Sequence, residues 1–291
     1  MGLFDSLKSL IKGGDRLDVT KRFELLREAI SGTMSNFYVA RDIKTGQTVG
    51  LKIIDAEKTA AAEARFQGLN KPSEGEIAVQ IKHPLIVITH EYGLTTKNEP
   101  YLVMEHLDGP GLNFLIAGKD SRLIGKRVAL LRQAAEALAA VHKAGFIHRD
   151  VCPRNFVTSK DLSSLKLIDF GLTVPATPPF MQPGNRTGTA NYMAPEVVRR
   201  RPTSQALDVF AFGVTAYEVC AFELPWPRGA TGLAAMSHGV EEPTDLHQYN
   251  PTICQPLCDA IYACLNPAPE KRPTMEKFLQ MIKNLKREDG K

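Results

Sequence analysis

No stretch of this 291-residue sequence offers the run of about 18 apolar residues that spans a bilayer. Its longest greasy segment, Val128 to Val141, is interrupted by Arg132, Gln133 and Glu136 and reads as an amphipathic helix. Charge of one sign is lacking too. The 36 Lys and Arg against 32 Asp and Glu leave a formal net charge of +4, which gives no argument for a nucleic-acid partner. Cysteine is sparse and odd in number: Cys152, Cys220, Cys254, Cys258 and Cys264. Without a signal-peptide pattern, these read as reduced thiols in a reducing compartment, and the expected location is cytoplasmic. The spacing of Cys254, Cys258 and Cys264 suits either a zinc site or a buried helical face. No internal repeat is visible. What is present, 43% hydrophobic and 23% charged residues, excludes disorder, collagen and coiled coil. The length suggests one large domain or two lobes sharing a cleft.

Residues 1–20 form an N-terminal extension. Leu3, Phe4, Leu7, Leu10 and Ile11 recur at helical spacing with Lys8 and Lys12 elsewhere on the wheel, and Met1, Gly2 and Ser6 fit a loose myristoylation pattern. Association with a membrane surface and a helix resting on the protein body both fit.

From Phe23 to Leu107 short β-rich runs dominate. Phe37 to Ala40 and Thr48 to Ile54 join through Lys44 to Gln47 as a hairpin, and Ile86 to Thr89 with Tyr101 to Met104 form a second pair around Gly93 to Pro100. One helix interrupts them, marked by Glu74, Ile77, Ala78 and Ile81. After Gly109, Pro110 and Gly111 the pattern turns helical. Leu131, Ala134, Ala135, Leu138 and Val141 form a stripe, and Val209 to Val219 is apolar nearly all round, as a buried helix is.

The most informative stretch runs His148, Arg149, Asp150, Val151, Cys152, Pro153, Arg154, Asn155, then Asp169, Phe170 and Gly171. These residues resemble the catalytic and metal-binding loops of the eukaryotic-like protein kinase superfamily, H-R-D-x-x-x-x-N followed by D-F-G. The phosphoryl transfer that this resemblance implies needs a carboxylate to orient the attacking hydroxyl and take its proton, and oxygen ligands for magnesium. Asp150 suits the first task, Asn155 and Asp169 the second. A hairpin of Phe156 to Thr158 and Leu165 to Ile168 would bring the two ligands to one end of a small sheet.

Other segments extend the resemblance over about Phe23 to Lys286. Val49 to Lys52 resemble the V-A-I-K strand, and period-2 alternation puts Gly50, Lys52 and Ile54 on one face. The resemblance gives Lys52 the α and β phosphates, positioned by a helix glutamate, Glu74 by its distance from His83 and Pro84, with Glu76 as fallback. The phosphate-covering loop departs furthest: of three expected glycines only Gly32 stands, with Ile30 and Ser35 at the other places. By resemblance Ile30, Phe37, Gly50 and Val157 would sandwich adenine, Met104 would be the gatekeeper, and Glu105 to Leu107 would offer hinge backbone groups. Gly188 to Glu196 resemble the close of a Ser/Thr kinase activation segment, with Thr189 near the catalytic aspartate. The resemblance also pairs Glu196 with Arg272 and gives Asp208 to the catalytic loop. It lets Arg149 bind a phosphate on Thr177 or Thr187. Cys152 stands where Ser/Thr kinases carry a lysine, and Arg154 stands where tyrosine kinases place an arginine for the same phosphoryl group. Arg199 to Arg201 form a short basic run, read as a solvated face or a docking site for acidic peptides.

The resemblance implies an α+β, bilobal kinase fold. A small β-rich N-lobe with one main helix would cover residues 21–104, a hinge 105–111, a larger helical C-lobe 112–287 and a tail 288–291. It further implies transfer of the γ-phosphoryl group of ATP, with Mg2+, to serine or threonine hydroxyls of protein substrates, in the manner of bacterial Ser/Thr kinases. The alternative is a pseudokinase acting as a nucleotide-binding or scaffolding module, suggested by the missing glycines and Cys152.

Overall fold

The computed structural model describes residues 16–32, 34–184, 186–227 and 234–290. The apolar repeat from Leu3 to Ile11 lies outside the described residues. The chain divides into two compact units: one takes the residues up to Gln80 together with Ile88–His106, the other takes Ile81–Val87 and everything from Leu107 on.

In the first unit a short helix α1 (Val19–Arg22) leads into β1 (Phe23–Ser31), β2 (Ser35–Asp42) and β3 (Thr48–Ile54). Helices α2 (Ala56–Glu63) and α3 (Glu74–Gln80) follow, then β4 (Thr89–Leu94) and β5 (Pro100–Glu105). The five strands form one antiparallel sheet in the order β1-β2-β3-β5-β4. Alternation along β3 turns Val49 and Leu51 into an apolar cluster with Phe23, Ala40, Tyr101 and Val103. Full burial of a side chain of this size contributes about 1.5 to 3 kcal/mol.

Leu17 and Val19 pack against the same cluster, so residues 16–20 belong with this sheet rather than with a separate extension. A charged clamp holds them there. Arg22 donates to Asp42 at 3.0 Å and to Glu91 at 2.8 Å, and the Tyr101 hydroxyl donates to Glu91 at 2.6 Å. Burial opposes charge on Arg22 less than its bond to Glu91 favours it, and the guanidinium is held well above its ordinary value.

The second predicted strand pair is displaced. Its first member is not Ile86 to Thr89 but β4, in register Thr89 opposite Met104 and Leu94 opposite Pro100. The cause is a competing partner: Val87 N–H donates to Leu167 O at 3.0 Å, which draws Ile86 and Val87 into the second unit. Gly93 therefore lies inside the strand, and the turn is only Thr95 to Glu99, where the Thr95 hydroxyl accepts from Lys97 and Glu99 N–H.

The second unit contains α4 (Leu112–Ala117), α5 (Arg127–Lys143), β6 (Phe146–Ile147), β7 (Phe156–Thr158), β8 (Leu165–Leu167) and β9 (Val174–Pro175). Five further helices follow: α6 (Pro195–Val198), α7 (Ala206–Ala221), α8 (Leu246–Tyr249), α9 (Gln255–Cys264) and α10 (Met275–Met281). Every predicted stripe residue of α5 is buried, and α7 is buried from Leu207 to Ala221. Cys258 and Cys264 supply a buried face of α9, and the described residues contain no group of three or more metal-ligating His, Cys, Asp or Glu side chains. Residue 288, in the tail, is packed against the second unit. Glu288 is buried, its carboxylate accepts from Gly125 N–H at 2.6 Å, and its carbonyl accepts from Cys254 N–H at 2.7 Å. Among the described residues no helix is long and apolar enough to cross a membrane. The architecture is mixed α+β, with strands concentrated in the first unit and helices in the second.

Candidate active site

Lys52 lies on the face of β3 opposite the apolar cluster, is buried, and needs a counter-charge there. Its Nζ is 2.6 Å from Glu74 Oε1, and both side chains are 9% exposed. Glu76 serves a different purpose. Its carboxylate accepts from Ser73 N–H at 2.7 Å and from the Ser73 hydroxyl at 2.8 Å, while Ser73 Oγ accepts from Glu76 N–H at 3.3 Å. This reciprocal cap starts α3 and leaves Glu74, its first residue, to meet Lys52.

Phe37, Gly50 and Met104 converge on the same sheet. A Cβ on Gly50 would stand 2.9 Å from Met104 Cγ and 2.9 Å from the Phe37 ring, so only glycine lets both approach the strand. Ile30 pairs with Phe37 across β1 and β2. Gly32 N–H donates to Ser35 O at 2.8 Å, so the one remaining loop glycine uses this donor inside its own turn. Glu105 N–H donates to Ile88 O at 2.9 Å, and its carboxylate accepts from Ile88 N–H at 2.7 Å. Of the proposed hinge groups, the Glu105 N–H is thus engaged within the first unit. Leu107 opens the second unit, half-buried, and Val157 is half-buried in β7.

The second unit assembles the other candidates. β6 pairs with β9 and β7 with β8, and Ile168 N–H donates to Asn155 O at 2.8 Å. That last bond places Asp169 next to the start of β7, as the predicted hairpin requires. Buried Asp208 accepts from His148 N–H and Arg149 N–H, each at 2.7 Å, and anchors the loop that follows. Arg149 takes a left-handed φ of 69°. A Cβ on Gly188 would come within 2.7 Å of Arg149 O, so glycine at 188, itself at φ 105°, permits the activation segment to close over this loop.

Asp150 is held at both oxygens. Oδ1 accepts from Thr189 N–H at 3.0 Å and from the Thr189 hydroxyl at 2.8 Å. Oδ2 accepts from Arg154 Nη2 at 2.9 Å and from Asn155 Nδ2 at 3.1 Å. A carboxylate offers about four acceptor positions, so these donors fix its plane and orientation. Asn155 Nδ2 also donates to Asp150 O at 2.7 Å. Asp169 Oδ1 accepts from Gly171 N–H at 2.9 Å.

The two unusual residues behave differently. Burial pushes the Cys152 thiol up to about 12, with Asp150 adding to the effect, so it stays neutral. Its Sγ lies 3.7 Å from Thr189 Oγ1. Burial works against the Arg154 guanidinium, yet attraction to Asp150, and more weakly to Asp169, holds it above its ordinary value. Arg149 Nη2 donates to Thr187 Oγ1 at 2.5 Å.

Sequence reasoning missed two supports of this site. His142 Nε2 is 2.9 Å from Asp208 Oδ2, and Gln205 Nε2 donates to His142 O at 2.8 Å and to Phe146 O at 3.0 Å. A histidine in the last turn of a helix reads locally as a C-terminal cation, and nothing in the pattern names a partner 66 residues away.

The second unit thus holds a carboxylate oriented by four donors with a neighbouring Asn and Asp pair, and the first unit holds a lysine buried against a helix glutamate. The family model for the protein kinase domain matches residues 23–282. The chain belongs to the protein kinase domain family. This kinase domain is 31% identical over 232 residues to the serine/threonine-protein kinase PknA of Mycobacterium tuberculosis, covering 77% of this chain and 52% of that protein. It is 28% identical over 260 residues to PknB of Mycolicibacterium smegmatis, covering 87% of this chain and 41% of that protein. The chain thus spans about half or less of the length of these curated relatives.

The donor set fits a hard cation. An amide oxygen from Asn155 and a carboxylate from Asp169, without thiolate or imidazole, suit magnesium, which keeps water and substrate phosphate in its remaining positions.

Proposed function

We propose that this kinase domain transfers the γ-phosphoryl group of ATP to serine or threonine hydroxyls of protein substrates. The observation that carries the reading is the four-donor fixation of Asp150 beside Asn155 and Asp169. Asp150 orients the acceptor hydroxyl and takes its proton as the phosphoryl group passes to the acceptor oxygen and ADP departs. Asn155 and Asp169 would hold Mg2+, whose contribution when bound is to neutralise charge on the phosphates. Lys52, set by Glu74, is assigned to the α and β phosphates. Ile30, Gly32, Phe37, Gly50, Met104, Glu105, Leu107 and Val157 are assigned to the nucleotide. Five free cysteines suit a reducing compartment such as the cytoplasm.

Thr189 supports the choice of acceptor, since its hydroxyl touches the same Asp150 oxygen that its backbone N–H holds. Labelling a peptide library with Mg-ATP is expected to give phosphoserine and phosphothreonine by mass spectrometry, and no product from Asp150→Asn. Dominant phosphotyrosine would overturn the acceptor assignment. Labelling equal to that of the Asp150→Asn control would favour a scaffold without turnover.

Arg154 is proposed as the cation that neutral Cys152 cannot be. Its guanidinium already contacts Asp150, and a long planar fork can exchange one oxygen anion for another. Arg154→Ala is expected to lower single-turnover transfer by roughly a hundredfold or more. Adding Cys152→Lys to that variant should restore part of the loss, and Cys152→Lys alone should change little. Independent effects across the four-member cycle would retire the compensation.

A further inference from the structure

Four arginines gather where the activation segment meets α6. Arg186 Nε donates to Val198 O at 3.0 Å, and Arg199, Arg200 and Arg201 follow directly on that residue. All four are exposed. None forms an ion pair with a carboxylate among the described residues; Arg199 reaches only the Gly239 carbonyl, at 3.3 Å. Elsewhere on this surface exposed cations do find partners, as Arg122 with Asp120 at 2.6 Å and Lys119 with Glu223 at 2.8 Å. The formal net charge of the whole chain is +4, so this patch alone holds as much uncompensated charge as the entire protein.

The backbone that carries Arg199 and Arg201 is hydrogen-bonded to α6. Arg199 N–H donates to Pro195 O at 2.9 Å and Arg201 N–H to Glu196 O at 2.8 Å, while Glu196 is itself locked to Arg272. Backbone held in this way presents its guanidinium groups at reduced ordering cost on binding. One shallow cavity is lined by Asp150, Thr189 and Val197, so the carboxylate that would receive the acceptor hydroxyl and the helix that ends in the arginines border the same depression. Capping of the α6 C-terminus accounts for a cation near Val198 O, but not for the three exposed arginines that follow it.

We propose that Arg186, Arg199, Arg200 and Arg201 bind an acidic segment of the protein substrate, rich in Asp or Glu, while its Ser or Thr lies at Asp150. Clustered arginines recognise carboxylates through charge-assisted, often bidentate hydrogen bonds. This deepens the phosphotransfer reading and rests on it.

The test compares two degenerate Ser/Thr peptide pools, one flanked by four glutamates and one by four glutamines, on the wild-type chain and on Arg200→Glu/Arg201→Glu. Among the described residues those two exposed side chains make no hydrogen bond or ion pair, and neither is placed in the catalytic machinery. The wild type is expected to favour the glutamate pool by about tenfold, the worth of a few exposed ion pairs. The variant should lose that preference at an unchanged rate on the glutamine pool, and salt should erase it. Equal turnover of both pools by the wild type, or a preference that survives in the variant, overturns the proposal. If neither pool is phosphorylated, the phosphotransfer reading fails, and fluorescence anisotropy with Ser/Thr→Ala versions of the pools still decides the patch. Binding of the glutamate pool by wild type and not by the variant supports it; equal binding overturns it.

Discussion

Asp169→Asn is expected to lower phosphotransfer by on the order of a hundredfold to a thousandfold, the loss that follows removal of one charge aimed at a transition state. Asparagine is the informative replacement because Asp169 holds a left-handed φ of 68°, which asparagine tolerates and alanine does not. It also keeps an oxygen for the bond from Gly171 N–H. The change therefore removes the charge while keeping the size and shape of the side chain. Lys52→Ala should cost a similar factor in rate, but with a second effect. Lys52 is buried against Glu74, so its removal leaves a buried carboxylate without its cation and lowers stability as well. Single-turnover kinetics beside thermal melts separate the two consequences. Unchanged turnover in Asp169→Asn would sink the metal-ligand assignment, and unchanged turnover in Lys52→Ala would sink the phosphate role of the lysine.

Arg272→Ala is expected to destabilise the second unit by about 3 to 5 kcal/mol, the cost of breaking a buried ion pair from one side. Its guanidinium meets Glu196 with two bonds of 2.7 and 2.9 Å, and the paired side chains are 0% and 4% exposed. The same group donates to the carbonyls of Asn266 at 2.7 Å and Ala206 at 2.8 Å, and stacks on Phe210 at 5.0 Å. Alanine would strand all of these together with a buried carboxylate. Replacing both partners, as in Glu196→Leu with Arg272→Met, should recover part of the loss because no charge is then left uncompensated. Urea unfolding is the measurement, and a loss below about 1 kcal/mol, the range of an exposed pair, would show that this contact does not hold the unit together.

The grouping of the candidate residues in the second unit was legible in the sequence. Asp150, Asn155 and Asp169 lie within 20 residues and are carried by a loop and a small hairpin, elements whose geometry is written in neighbouring residues. The buried helix α7 announced itself by apolar residues on every side, and α5 by its stripe. The pairing of Arg272 with Glu196 came from the resemblance, not from any local pattern.

Tertiary structure decided the rest. Both Glu74 and Glu76 stand at the start of one helix, and which one meets Lys52 depended on the Ser73 cap consuming the other. The start of β4 depended on Leu167, far along the chain, capturing Val87. His142 and Gln205 gained their meaning from partners 59 to 66 residues away, and Arg22 from Asp42, 20 residues away, and Glu91, 69 residues away. Period and turn chemistry act over a few residues, so the sequence alone determined most of the elements and the order of the candidate site residues. A buried charge or hydrogen bond is satisfied by whatever packing brings beside it, and only the folded chain could name those partners.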